Sequence, residues 1–163
     1  MLRMTKQTDY GIVLMTHLAG DPEVQHSAPE LASALLIPLP MVSKILKLLA
    51  RDGLLASHRG VRGGYSLART PASISVADII NALEGPIAMT ECVEERHVHD
   101  CVREPICAVR THWQHINRAV REALENISLA DMTQPAQGPE LVHLGGRRAT
   151  ASALDSRLQG RTS

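Results

Sequence analysis

The fold of this chain is decided by the glycine-rich stretch at residues 54–68, which reads LLASHRGVRGGYSLA. Residues 54–58 and 65–68 have the composition of two short strands, and the arginine- and glycine-rich residues between them predict a tight turn. A hairpin of this kind, placed directly after a helix that can read DNA, is typical of the wing of a winged helix. Its glycines allow the backbone to approach a phosphate ladder closely.

The residues before the hairpin predict three helices. Ser27-Ala28-Pro29-Glu30 is a capping box with proline in the first turn, and it begins the second of these helices. Pro38 interrupts the chain, and Pro40 then begins a third helix that ends near Gly53. The apolar face of that third helix consists of Val42, Ile45, Leu46 and Leu49. Two helices joined by a tight turn predict a helix-turn-helix.

The polar residues of the third helix and of the wing indicate DNA binding. Ser43, Lys44 and Lys47 point away from the apolar face, and their side chains suit base edges and phosphates. Arg59 and Arg62 of the wing can enter a narrow minor groove or neutralise phosphates. Residues 1–70 contain eight basic and five acidic residues, a net charge of +3, in a chain of zero net charge.

Three cysteines indicate a metal site. Cys92, Cys101 and Cys107 are the only cysteines of the chain, and they lie within sixteen residues of polar, charged sequence. Thiolates are soft ligands, and an odd number of cysteines in a reducing compartment favours metal binding over disulfides. The residues alone leave two options open. One is an iron–sulfur cluster, and the other is structural zinc with a histidine as fourth ligand, drawn from His97, His99 or His112.

The C-terminal part of the chain predicts a dimerisation helix. From Cys107 onward the apolar residues follow a near-heptad spacing through Val109, Trp113, Ile116, Val120, Leu124 and Ile127. We therefore predict four regions. They are a winged helix-turn-helix at 1–85, a cysteine-rich loop at 86–106, a dimerisation helix at 107–133 and a disordered tail at 134–163.

Composition limits the class of protein further. The chain has no Phe, one Trp and two Tyr, so its core is expected to consist of aliphatic residues and to be mainly α-helical. No apolar run approaches the length of a membrane span, and the N-terminus lacks a signal-peptide pattern, so we expect a cytoplasmic protein. No His–Asp arrangement surrounds any of the cysteines, and we therefore predict that the chain is not an enzyme.

Four segments of the chain resemble the winged-helix iron–sulfur regulators typified by the Isc-operon regulator IscR and the nitric-oxide sensor NsrR. The segments are residues 2–10, 59–65, 75–80 and 126–129, and the resemblance covers residues 1–133. Within that family the beginning of the chain is most similar to regulators of the SUF iron–sulfur assembly operon. The resemblance implies a homodimeric repressor that binds a pseudo-palindromic operator in double-stranded DNA and holds a 2Fe-2S or 4Fe-4S cluster.

The same resemblance implies a ligand set of three cysteines and one non-cysteine residue. Asp9 falls where the nitric-oxide sensors place a carboxylate that ligates the cluster of the other subunit. The pattern of IscR instead places a histidine three residues beyond the last cysteine, where this chain has Arg110, and His112 follows two residues later. We take Asp9 as the expected fourth ligand and His112 as the alternative. Eight residues separate Cys92 from Cys101, which is more than the five or so in those two regulators.

Overall fold

The computed structural model describes residues 4–60, 63–90 and 107–134 of the 163-residue chain. Within those ranges the chain forms six α-helices, one short 3-10 helix and one antiparallel pair of strands. The helices are α1 (Lys6–Gly20), α2 (Ala28–Leu35), α3 (Leu39–Arg51), α4 (Val76–Glu84), α5 (Arg110–Glu125) and α6 (Leu129–Thr133). The strands are β1 (Leu55–His58) and β2 (Gly64–Leu67), and the 3-10 helix is Pro71–Ser73. None of the helices in these ranges has the length and apolar character that a membrane span requires.

Helices α2 and α3 form the predicted helix-turn-helix. Both hydrogen bonds of the capping box are present, because the Ser27 N–H donates to Glu30 Oε2 at 2.8 Å and the Glu30 N–H donates to Ser27 Oγ at 3.4 Å. Helix α2 ends at Leu35, and its C-cap residue Leu36 has a left-handed backbone with φ of +54°. The apolar face of α3 is buried as expected, and its side chains there are those of Val42, Ile45, Leu46 and Leu49.

The wing is a hairpin of β1 and β2, paired from Leu55 opposite Leu67 to His58 opposite Gly64. Tyr65 of β2 also pairs with His26, through N–H to carbonyl hydrogen bonds of 3.0 and 2.9 Å in the two directions. A Cβ atom at Gly64 would lie 2.7 Å from the carbonyl oxygen of His26. Glycine is therefore required there, because the wing lies directly against the backbone that leads into α2.

The hydrophobic core lies between α1, α3 and α4, with contributions from the wing and from α6. Its fully buried large side chains are aliphatic or methionine, as the composition predicted, and they are Leu14, Met15, Leu18, Leu31, Val42, Ile45, Leu46, Leu49, Leu54, Ile74, Ile79 and Leu129. Such a core suits small helices that pack closely. Helices α1 and α4 approach so near to each other that a Cβ atom at Gly11 would overlap the side chain of Leu83.

The prediction of one continuous helix over residues 107–133 is wrong, because the structure divides this stretch. Helix α5 ends at Glu125, and a further capping box at Ser128 begins the separate helix α6. The chain between them runs alongside the segment that precedes α4. There the Val76 N–H donates to the Ile127 carbonyl at 2.9 Å, and the Leu129 N–H donates to the Ile74 carbonyl at 2.7 Å. Helix α6 therefore packs on α1 and belongs to the core of the winged helix. The predicted tail beyond residue 134 lies outside the described residues.

Candidate nucleic-acid interface and metal centre

The outer face of α3 presents the three predicted DNA-contacting residues together. Lys44 and Lys47 are exposed, and Ser43 is half-buried beside them. Within the part of the chain that the structure describes, neither lysine has an ion-pair partner. Because the opposite face of α3 is locked in the core, these side chains are held on a rigid helix that faces solvent, which is the arrangement a recognition helix requires.

The wing places one of the two predicted arginines on the surface. Arg59 is exposed at the end of β1, whereas Arg62 lies outside the described residues. His58 next to it has its Nε2 atom 2.9 Å from Ser66 Oγ across the hairpin. Just before β2 the backbone lies close to the end of β1, since a Cβ atom at Gly63 would overlap the His58 carbonyl oxygen. Glycine is therefore required at position 63, because the backbone on the other side of the hairpin leaves no room for a side chain.

The expected metal ligands are described only in part. Cys92 and Cys101 lie outside the described residues, as do His97 and His99, while Cys107 is half-buried one turn before α5. Asp9 is exposed on α1 and His112 is exposed on α5. Among the described residues no three His, Cys, Asp or Glu side chains come together to hold a metal ion. The Asp9 carboxylate has no hydrogen-bond or ion-pair partner within those residues, so it is free to take a ligand role.

The start of α1 is fastened to the end of α4 by a hydrogen-bonded cluster that the sequence analysis did not find. The Glu84 carboxylate accepts hydrogen bonds from the Thr5 N–H at 3.1 Å, the Thr5 hydroxyl at 2.9 Å and the hydroxyl of buried Thr8. Gln7 Nε2 donates to the Leu83 carbonyl at 3.0 Å. The hydrogen bond from the Thr8 hydroxyl is the main cause that lowers the pKa of Glu84. The turn that carries Asp9 is thus held in place by α4.

A second polar contact fixes the segment that leads into the cysteine-rich loop. Asn117 is buried in the middle of α5, and its Oδ1 atom accepts a hydrogen bond from the Met89 N–H at 3.1 Å. The same segment lies along one wall of an apolar cavity of about 530 Å³, to which α5 contributes Val120 and Leu124. The sequence analysis did not single out Asn117, although a polar residue beside the apolar stripe of α5 could have indicated such a contact.

These features define the class of protein. A helix-turn-helix with a basic outer helix face, followed by a two-stranded wing that is fixed to it, is the architecture of winged-helix DNA-binding transcriptional regulators.

Comparison with known proteins assigns the chain within that class. Residues 4–135 match the model of the Rrf2 family, described as iron-dependent transcriptional regulators, and the chain belongs to this family. The solved structure of CymR from B. subtilis, described as its global cysteine regulator, is 31% identical with a TM-score of 0.64. It covers 82% of this chain and 97% of its own.

Two further relatives are named for the regulators that the sequence resembles. IscR from T. potens is 30% identical with a TM-score of 0.62, over 84% of this chain and 94% of its own. NsrR from Geobacillus kaustophilus is 28% identical over 134 residues, which is 82% of this chain and 90% of that protein. The resemblance and the winged-helix fold class are therefore confirmed, and the chain is a transcriptional regulator and not an enzyme, as predicted.

Proposed function

We propose that the chain is a homodimeric repressor whose affinity for DNA depends on an iron–sulfur cluster. Through this cluster it senses cluster status or redox and nitric-oxide stress. Genes for iron–sulfur cluster assembly are its expected targets, because its beginning is most similar to regulators of the SUF system. The observation that carries this proposal is the trio of cysteines in a chain that belongs to a family of iron-dependent regulators.

The DNA-binding step uses the two surfaces described above. In each protomer α3 enters a major groove with Ser43, Lys44 and Lys47 toward the DNA, while Arg59 and Arg62 of the wing reach the flanking minor groove. A two-fold symmetric dimer requires a pseudo-palindromic operator with half-sites about 34 Å apart, or a multiple of that distance. The pairing of His26 with Tyr65 supports this proposal, because it fixes the wing to the segment that leads into α2, the first helix of the helix-turn-helix.

The dimer interface is proposed along α5. Val109, Ile116 and Ile127 of its predicted stripe are exposed, whereas Val120 and Leu124 of the same stripe line the apolar cavity beside α4. Exposed apolar side chains in register along a helix favour a partner helix, and a second copy of the chain supplies one with matching spacing. The proposed dimerisation element is therefore α5 with its immediate flanks, a shorter element than the predicted span of 107–133.

The cluster is proposed to be held by Cys92, Cys101 and Cys107, together with Asp9 of the partner subunit. When bound, the cluster supplies an iron–thiolate centre that oxidants, nitric oxide and iron shortage can disassemble. The residues fit such a group, because the Asp9 carboxylate is exposed and its helical turn is fixed by Glu84. Since α1 also packs against α3, a ligand bond at Asp9 acts on the helix that supports the recognition helix.

The test is anaerobic purification followed by a visible spectrum with iron and sulfide analysis. We expect a brown protein, and Cys107→Ser should remove the chromophore while the far-ultraviolet circular dichroism stays that of the folded protein. A colourless protein that contains zinc would instead support the alternative of a structural site with His97, His99 or His112. A protein with neither metal would contradict the proposed metal site and leave a winged-helix regulator that works without it.

The fourth ligand is tested with matched pairs of variants. Asp9→Ala should make the cluster more labile to oxygen, whereas Asp21→Ala, which removes an exposed carboxylate at the other end of α1, should not. His112→Ala is compared with His115→Ala, because both histidines are exposed on α5. If only His112→Ala bleaches the protein, His112 is the ligand and the assignment of Asp9 is wrong.

A further inference from the structure

Two exposed leucines lie on either side of the turn between α2 and α3, at the N-terminal end of the recognition helix α3. Leu36 is 91% exposed and Leu39 is 43% exposed. Leu36 also has the left-handed backbone with φ of +54°, a conformation that favours glycine at the end of a helix. The chain thus keeps a large apolar side chain where both the backbone and the surrounding water favour a different residue.

Packing does not account for these leucines. The hydrophobic contact that normally accompanies such a helix end is made by the next residue, Ile37, which is buried and whose N–H donates to the Ala32 carbonyl at 3.2 Å. An outlier that neither the local backbone nor the core explains points to a function.

The same end of α3 has almost nothing polar to offer to DNA. It has no side-chain cap, Pro40 lacks an N–H, and the N–H groups of Met41 and Val42 both donate to the Pro38 carbonyl, at 2.9 and 3.1 Å. The first polar side chain is Ser43, one turn into the helix. Leu36 and the first residue of the recognition helix, Leu39, therefore form an apolar tip ahead of its basic body, which consists of Lys44 and Lys47.

We propose that the apolar tip contacts thymine methyl groups in the major groove of the operator and thereby contributes to sequence preference. The N-terminal residues of a recognition helix are the ones that reach base edges, and the C5 methyl of thymine is the apolar group displayed there. Lys44 and Lys47 lie further along the helix, where phosphates flank the groove. This inference rests on the DNA binding of the helix-turn-helix and is independent of the metal centre.

The experiment uses the full chain, purified anaerobically with its metal. Its DNA is the duplex that the protein binds with the highest affinity after selection from a randomised pool. Each thymine of that duplex is replaced in turn by deoxyuridine, which lacks only the C5 methyl group. We expect at least one position in each half-site where the replacement weakens binding about three- to fivefold, the effect of one methyl group that is no longer buried.

Two leucine variants then assign the effect to the tip. Leu36→Gly and Leu39→Ala should each weaken binding to the thymine duplex and reduce the thymine-to-uracil ratio at one position towards one. Leu36→Gly should at the same time leave the melting temperature equal to or above that of the parent, because it relieves a left-handed leucine. The control is Lys47→Ala, which should weaken binding and lower its salt dependence while it keeps the thymine-to-uracil ratio.

Three results would overturn the proposal. The first is a selected duplex in which no thymine methyl group affects binding. Sequence preference would then come from the basic face of α3, and the proposed function as a transcriptional repressor would still stand. The second is an unchanged thymine-to-uracil ratio in both leucine variants. The third is a shift of Leu36→Gly toward monomer in sedimentation, because that would assign the tip to a contact between protein copies. A pool that yields no preferred sequence would overturn both this proposal and sequence-specific regulation by the chain.

Discussion

Helices α3 and α5 are both amphipathic, but their apolar faces have opposite surroundings. The apolar face of α3 is completely buried, and the helix packs against α1, α2, α4 and β1, so the helix-turn-helix is stabilised within a single chain. The only fully buried side chain of α5 is that of Asn117, and its apolar stripe is half-buried or exposed. The core of the winged helix is therefore closed within one chain, whereas the apolar stripe of α5 is left partly uncovered.

This difference separates stability from assembly. Changes in the inner face of α3 are expected to act on the free energy of unfolding of the chain. Changes in the outer face of α5 are expected to act on association and to leave the fold of the chain alone.

The largest effect is expected for Leu46→Ala, because Leu46 is completely buried in the hydrophobic core. Removal of a buried leucine side chain leaves a cavity and typically lowers the free energy of unfolding by about 2–5 kcal/mol. Urea unfolding followed by circular dichroism measures this change. Leu48→Ala on the same helix is the control, since Leu48 is only half-buried and should be affected less. Equal losses for the two variants would contradict the enclosed face of α3.

The next effect is expected for Gly64→Ala, which tests the attachment of the wing to the head. The new methyl group would lie 2.7 Å from the His26 carbonyl oxygen and must push β2 away from the segment before α2. Overpacking of this kind typically lowers the free energy of unfolding by about 1–3 kcal/mol, and DNA affinity should fall as well. Gly20→Ala is the matched control, because nothing lies near its Cβ position. A Gly64→Ala protein with normal stability and normal DNA binding would mean that the wing is not held by His26.

A smaller effect, confined to assembly, is expected for Ile116→Ala. Ile116 is exposed in the single chain, so the free energy of unfolding of the monomer should not fall, while the dissociation constant of the dimer should rise about tenfold, or about 1.4 kcal/mol. Sedimentation equilibrium over a range of concentrations gives the constant. Gln114→Ala, on the exposed surface of the same helix, should leave it unchanged. An unaltered dimer in the Ile116 variant would remove α5 from the proposed interface.

The comparison also explains what the sequence could predict. Capping boxes at Ser27 and Ser75, and the outward position of Lys44 and Lys47, depend on spacings of three or four residues, and the structure contains them. The end of α5 was missed although Ser128 and Asp131 form a third capping box. The apolar spacing that continues to Ile127 concealed that signal.

Contacts between distant residues could not be predicted in this way. Thr5 and Thr8 meet Glu84 across 79 and 76 residues of sequence, and only the packing of α1 on α4 brings them together. The same holds for the candidate site, because Asp9, His112 and Cys107 lie on or next to different helices, and spacing says nothing of their separation in space. The assignment of the metal ligands therefore stays a prediction.

The smallest effect is expected for Glu84→Gln, which weakens the hydrogen bonds from Thr5 and Thr8 that fix the start of α1 to the end of α4. Hydrogen bonds, first of all from the Thr8 hydroxyl, lower the pKa of Glu84 below its ordinary value of 4.5. A carboxyl group with a lowered pKa in the folded state stabilises the protein at pH values above 4.5, and this contribution disappears as the pH falls through the folded-state pKa. Because Glu84 is exposed and screened by solvent, we expect Glu84→Gln to lower the free energy of unfolding at pH 7 by less than about 1 kcal/mol.

The pH dependence distinguishes this contribution from a simple loss of packing. The difference between the parent protein and Glu84→Gln should shrink when unfolding is measured at pH 7, then 4.5, then 3.5, since the parent loses its charged hydrogen-bond acceptor over that range. Glu122→Gln, which removes an exposed carboxylate of α5, is the matched control and should differ little from the parent at each pH. A Glu84→Gln deficit that is constant with pH would show that the neutral amide disturbs the helix ends by its shape. The charge of Glu84 would then have no part in holding the turn that carries Asp9.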